Sequence, residues 1–229
     1  DAAQALTSQN PADCRAWLLL GEAETHLTHV ALAIEAYRMG LEACPDDKDL
    51  LKALGRMYDE VEQYEDAVRI LSKLWAIDTS DPSVGSRLGA DCYRAGKCPE
   101  GRKAYETLLV ANPDRHGDRL AYAQFLSRIC HDFTAAEEQY RMLLAKTPND
   151  PQAHCGLAYM LAEAGRVDDA VKAAEAGLAA VAENKGCLYA AWGRALEAGG
   201  DSLMSKGQVT EALALYGQAL NPLQQGTGD

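Results

Sequence analysis

Apolar residues in this chain recur at helical spacing in short blocks, and the blocks themselves recur. Leu20-Gly21, Leu54-Gly55 and Leu88-Gly89 follow one another at 34-residue steps. Each pair is followed by a small residue (Ala33, Ala67, Gly101) and then a large one (Tyr37, Leu71, Tyr105), in the same step. The alternation continues as Ala136 with Tyr140, Ala170 with Ala174, and Ala212 with Tyr216. Pro45, Pro113 and Pro148 close three of the blocks, since proline neither continues a helix nor leaves the preceding residue helical. A period of this length points to stacked helical units, none of which buries its apolar face alone. No alternating stretch flanked by turn residues offers a strand, so the pattern predicts an all-α chain.

Six units are expected at about 14–47, 48–81, 82–115, 117–150, 151–184 and 193–226. The register slips by one near His116 and by eight between Asn184 and Gly193. A longer first helix over Cys187 to Lys206 absorbs the second slip, and Gly199-Gly200 is placed to bend or break it. Asn10-Pro11, Asp81-Pro82 and Asp150-Pro151 read as N-caps followed by proline at the first helical position. Three departures stand out: Thr79 and Ala182 replace proline, Ala174 replaces the large residue, and His154 stands where the first unit has Trp17. Residues 1–11 read as the tail of a preceding second helix, with Leu6 lying 34 before Gly40. No capping helix is recognisable at either end, and Asp1 is not an initiator, so the chain reads as a processed product or a section of something longer.

Trp17, Leu20, Gly21, Ala33, Tyr37 and Pro45 together resemble the tetratricopeptide repeat pattern, and the resemblance runs through nearly the whole chain. It implies one right-handed α-solenoid over residues 1–229, a superhelix of tandem antiparallel helix pairs A and B. Glycines 21, 55 and 89 would then let helix B of the same unit, or the next helix, approach closely. It also implies a concave groove lined by helix A. The matching positions in this sequence include Leu18, Glu22, Lys52, Arg56, Ser86, Tyr93, Arg94, Ala121, Phe125, Arg128 and Tyr159. Lys52, Arg56, Arg94 and Arg128 beside Tyr93, Phe125 and Tyr159 suit a protein or peptide partner with acidic and apolar side chains. A second reading stays open, in which these cations pair with Asp59, Glu60 or Asp118 on a solvated face. The two-carboxylate clamp and the asparagine ladder of some family members are absent from the matching positions.

Charge and chemistry narrow the function classes. A formal net charge of −12 argues against nucleic acid, which needs clustered Lys and Arg. No apolar run reaches the roughly 20 residues of a bilayer span. The chain carries none of the nucleophile-elbow, zinc-protease, phosphate-loop or dinucleotide signatures, so neither an enzyme nor a cofactor is expected. Cys130-His131 and His154-Cys155 are adjacent pairs that point apart on a helix, and His26 with His29 fall at a helix end, so no metal site is expected. Seven cysteines without a CxxC favour a reducing compartment, with the thiols packed as small apolar residues. In an exported protein, Cys14 with Cys44 and Cys92 with Cys98 would be the bonded pairs. The expected function is a non-catalytic interaction scaffold or adaptor for complex assembly. The alternatives are a regulatory repeat region of a larger enzyme and a scaffold that assembles with copies of itself.

Overall fold

Local signals at the ends of each helix set the architecture. The computed structural model describes residues 7, 9–183 and 185–226. Among these residues there are twelve α-helices and no strand. The chain divides into two compact units between Arg115 and His116, where the repeat register slips by one. The first unit holds α1 Cys14–His26, α2 Val30–Ala43, α3 Lys48–Glu60, α4 Tyr64–Ile77, α5 Pro82–Ala95 and α6 Cys98–Ala111. The second holds α7 His116–Arg128, α8 Phe133–Lys146, α9 Pro151–Glu163, α10 Val167–Ala180, α11 Gly186–Ser205 and α12 Val209–Gly226. In each unit odd and even helices pair as hairpins, and the second helix of one hairpin stacks on the first of the next. The expected helix tail at 1–11 falls mostly outside the described residues; Thr7 and Gln9 are helical.

Aspartates open the first helices. Asp13, Asp47 and Asp81, at the 34-residue step, and Asp150 each accept backbone N–H bonds from the first turn they precede. Pro82 and Pro151 follow two of them, as expected. Asn10-Pro11 is not a cap: the helix starts at Cys14 with Asp13 as its N-cap, and the Pro11 carbonyl accepts the Trp17 indole N–H at 2.9 Å. His154 does the same with Pro148, at 2.8 Å, so its substitution for tryptophan keeps the hydrogen bond that ties helix A to the preceding turn.

Every hairpin turns through one left-handed residue: Thr28, Glu62, Gly96, His131, Gly165 and Gly207, with φ between 53° and 75°. Their spacings of 34, 34, 35, 34 and 42 residues carry both register slips. The larger slip sits in α11, which is 20 residues long and runs unbroken through Gly199-Gly200. The first helix of the sixth hairpin thus starts at Gly186, close to the expected Cys187, and Gly200 serves as a packing position, not a breaker.

The core shows what the recurring glycine does. Gly21 lies against the Tyr37 ring and Gly89 against Tyr105, while a Cβ on Gly55 would lie 2.5 Å from Leu71. Gly200 meets Tyr216 in the same way. The helix that approaches is thus the partner within the hairpin, sixteen residues on. The fifth hairpin has Ala158 and Ala174 at these two positions, both fully buried. They share a cluster with Cys155, Val181, Leu188 and Ala191, onto which Tyr159 and Trp192 pack. Two alanines replace a glycine and a large residue, and side chains from α9 and α11 complete the cluster.

Cys14 and Cys44 form a disulfide across the first hairpin, with Cα atoms 6.0 Å apart. That corrects the expectation of thiols throughout. Cys92 is a free, buried thiol, so the Cys92–Cys98 pairing is not formed: Cys92 is enclosed in the core, and Cys98, at the start of α6, is disulfide-bonded without it. Burial pushes the Cys92 thiol up to about 12.

Candidate functional site

The first-helix positions picked out by the repeat register are distributed over both units. In the first unit, Leu18 and Glu22 line a cavity of about 630 Å³ with Arg15, Asp47 and Asp49. Lys52 bonds Asp81 at 2.6 Å and holds that carboxyl low, to about 2, mainly through this hydrogen bond. Arg56 pairs with Glu60 at 3.3 Å. Arg94 reaches Asp59 at 3.1 Å and Asp91 at 3.2 Å, and lies over the Tyr64 ring. Ser86 donates to the Pro82 carbonyl and receives Arg115, and Tyr93 is half-buried. All three basic groove positions of this unit are therefore in ion pairs with side chains of the protein itself.

One of those acids is unusual. Asp91 is fully buried, and its Oδ2 has no hydrogen-bond partner. Burial, and then the neighbouring charge of Asp59, push its carboxyl up to about 7 against the pull of Arg94 and Arg87. Arg87 also bonds Asp59, at 2.7 Å. Two carboxyls and two guanidiniums from α3 and α5 thus form one network beside Tyr64 of α4.

The second unit has a cleft of about 580 Å³ between α7, α9 and the start of α11. Ala121, Arg128 and Tyr159 line it, as the register places them. Gln124, Tyr140 and Gln152 add hydrogen-bonding groups, and Leu120 and Met160 add apolar surface. Burial pushes the Tyr159 phenol up. Phe125 does not join them: it is fully buried in the core. The cleft stripe on α7 runs Gly117, Leu120, Ala121, Gln124, Arg128, and Phe125 is one residue, about 100°, round the helix from Gln124. Cys155 and Cys187 also line the cleft. Cys187 had no place in the register reading because it lies in the eight-residue insertion.

The described residues bring no three or more His, Cys, Asp or Glu side chains together in a metal-binding arrangement. None of the described helices is long and apolar enough to cross a membrane. His26 ends α1, and His29 stands at the start of α2 with Nδ1 at 2.9 Å from Glu24.

Two family profiles described as tetratricopeptide repeat match residues 1–48 with 131–185, and residues 50–83, together more than half of the chain. Cellulose synthase operon protein C of Pseudomonas fluorescens (strain SBW25) is 28% identical over 137 residues. The match covers 56% of this chain, and the chain spans only 11% of that protein's length. Among solved structures, YrrB, titled a tetratricopeptide protein with an unusual peptide-binding site, superposes with a TM-score of 0.63 at 14% identity, covering 83% of this chain and 97% of its own. The MamA protein gives 0.60 at 20% identity, covering 73% and 91%. These likenesses show the fold, an all-α helical repeat.

Proposed function

Because the chain belongs to the tetratricopeptide repeat family, whose repeats mediate protein–protein interaction, we propose that it is a non-catalytic scaffold for an acidic, partly apolar peptide or partner surface. The cleft of the second unit carries this reading. It is large enough for several side chains, it is lined by first-helix positions, and it sets Arg128 beside Tyr159 and Tyr140. Arg128 suits a carboxylate and the two phenols suit apolar groups. Leu18, Glu22, Lys52, Arg56, Ser86, Tyr93 and Arg94 extend the same contact mode to the first unit, where a ligand carboxylate would exchange with Asp81, Glu60 or Asp59. Such exposed pairs hold weakly enough to exchange.

Selection of displayed random peptides on the immobilised chain tests the proposal. The expected binders combine Asp or Glu with aromatic or branched residues. Arg128→Glu with Tyr159→Ala lowers their affinity at least tenfold while helical circular dichroism is unchanged. Binders that tolerate the double variant equally well would remove the cleft from the reading.

The Cys14–Cys44 bond supports work in an oxidising compartment, because disulfides persist where glutathione and thioredoxin do not keep thiols reduced. The likeness to cellulose synthase operon protein C favours a narrower role beside a cellulose-synthesis assembly. Disrupting the gene should then lower cell-bound cellulose measured by dye binding; unchanged cellulose removes that role and leaves the scaffold reading standing.

A further inference from the structure

Two free thiols meet inside the second unit. Cys155 is buried in the second turn of α9, and Cys187 is exposed at the start of α11. The two helices pack directly on each other. Both cysteines line the same cleft, and each thiol is near enough to be the leading influence on the other's pKa. Cys187 Sγ also lies 3.9 Å from the Pro151 carbonyl, which holds it at the N-terminus of α9. We propose that Cys155 and Cys187 are a dithiol–disulfide couple, oxidised by exchange with a low-molecular-weight disulfide, whose closure joins α9 to α11 along the wall of the cleft.

The two thiols have different roles. The neighbouring Cys155 favours the thiolate of Cys187, pulling its pKa below the usual thiol range, while Cys187 pushes the Cys155 pKa up, with burial adding to that. Cys187 is therefore the exposed attacking thiol and Cys155 the resolving one. The Cys187 thiolate attacks one sulfur of the incoming disulfide. That sulfur–sulfur bond breaks, a mixed disulfide forms on Cys187, and the first leaving thiolate takes up the proton that Cys187 gave to solvent. Cys155 then loses its proton and attacks Cys187 Sγ, expelling the second thiolate, which is protonated in turn. Two protein thiols are oxidised and one external disulfide is reduced to two thiols. The first hairpin already carries such a bond, and Cys98 and Cys130 are disulfide-bonded too. The inference does not depend on what the cleft binds.

The test uses the full chain with Cys14–Cys44 intact, incubated with glutathione disulfide. Remaining thiols are alkylated after denaturation, and the digest is mapped by mass spectrometry. The expected map links the Cys155 and Cys187 peptides and leaves Cys92 alkylated. Bridging raises the melting temperature by about 5 °C. Cys155→Ser accumulates a stable glutathione adduct on Cys187, whereas Cys187→Ser leaves Cys155 unmodified while the protein stays folded. A wild-type chain that keeps the adduct on Cys187, or in which both thiols remain alkylatable, overturns the proposal. The wild-type map decides even if either variant fails to fold.

Discussion

The two units build the same hairpin and differ in what they leave over. In residues 1–115 the glycine of helix A meets a large residue of helix B three times, the first hairpin is closed by a disulfide, and the basic groove positions are tied to acids of the same unit. Among the described residues after 115, the glycine–large pair within a hairpin is kept only in the sixth, while Gly156 meets Tyr140 of the preceding hairpin. The fifth packs alanine on alanine, and a cleft lies between α7, α9 and α11. The difference teaches that repeat position places a side chain on a surface, while its neighbours from the next hairpin decide whether it is available. Lys52 and Arg94 stand at first-helix positions that the repeat register picks out, yet their partners Asp81 and Asp59 come from an adjacent hairpin.

The largest expected effect breaks the core half of that comparison. Leu71→Ala leaves a hole beside Gly55 and should lower stability by about 2–5 kcal/mol. The reverse change in the second unit, Ala174→Leu, overpacks a fully buried site and should cost about 1–3 kcal/mol. Adding Ala158→Gly recreates the glycine–large pair of the first unit, and should recover most of that loss less about 1 kcal/mol of helix propensity. Urea melts followed by circular dichroism and by Trp192 fluorescence check all three. If the double variant is no better than Ala174→Leu, the two positions are not equivalent.

Next in size is the disulfide. Cys14→Ser with Cys44→Ser opens a link with a sequence separation of 30 and should destabilise the first unit by about 2–4 kcal/mol. Reduction of the wild type should give at least this loss, because Cys98 and Cys130 are disulfide-bonded as well. Equal melting of the oxidised and reduced chains would show that packing alone holds this hairpin.

Much of this was legible in the sequence, and the exceptions have physical causes. The glycine–large pairs repeat at one fixed step, so their role could be read before their partner was known. The aspartate caps repeat at that step too, at 13, 47 and 81, but Asn10-Pro11 carries a stronger local cap signal and points to the wrong residue. Phe125 is in the core rather than the cleft, and α7 mixes apolar and polar residues all round its circumference, so no face can be chosen from its pattern alone. Cys187 lies in an insertion, where no register exists to follow. The pairing of Lys52 and Arg94 depends on side-chain reach between hairpins, which a one-dimensional period does not encode.

The buried carboxyl of the first unit gives the third test. Asp91 has its pKa raised in the fold, so the folded chain holds this proton more tightly than the unfolded one does. Its favourable contribution is complete below the ordinary carboxylate pKa and is lost as pH rises through about 7. Asp91→Asn keeps the shape and removes the charge. It should stabilise the first unit at pH 8 by about 1–3 kcal/mol, do little at pH 4, and flatten the slope between. Chemical denaturation at the two pH values measures this, and an unchanged slope would assign the titration elsewhere in the network.

The smallest effect concerns the hairpin turns, where the units differ by residue type rather than by shape. Glu62 holds a left-handed backbone at φ 61°, whereas Gly96 and Gly165 adopt φ 67° and 73° with no side chain in the way. A side chain in that region costs about 1–2 kcal/mol, because Cβ crowds the carbonyl that follows. Glycine removes this strain but gives up more freedom on folding. Glu62→Gly should therefore stabilise the second hairpin by only about 0.5–1 kcal/mol. The converse, Gly165→Glu, should destabilise the fifth by a similar amount, although the space beside Gly165 is open. Opposite signs of similar size would show that conformation alone sets the turn residue, whereas a loss from Glu62→Gly would mean that the Glu62 side chain has a stabilising role of its own.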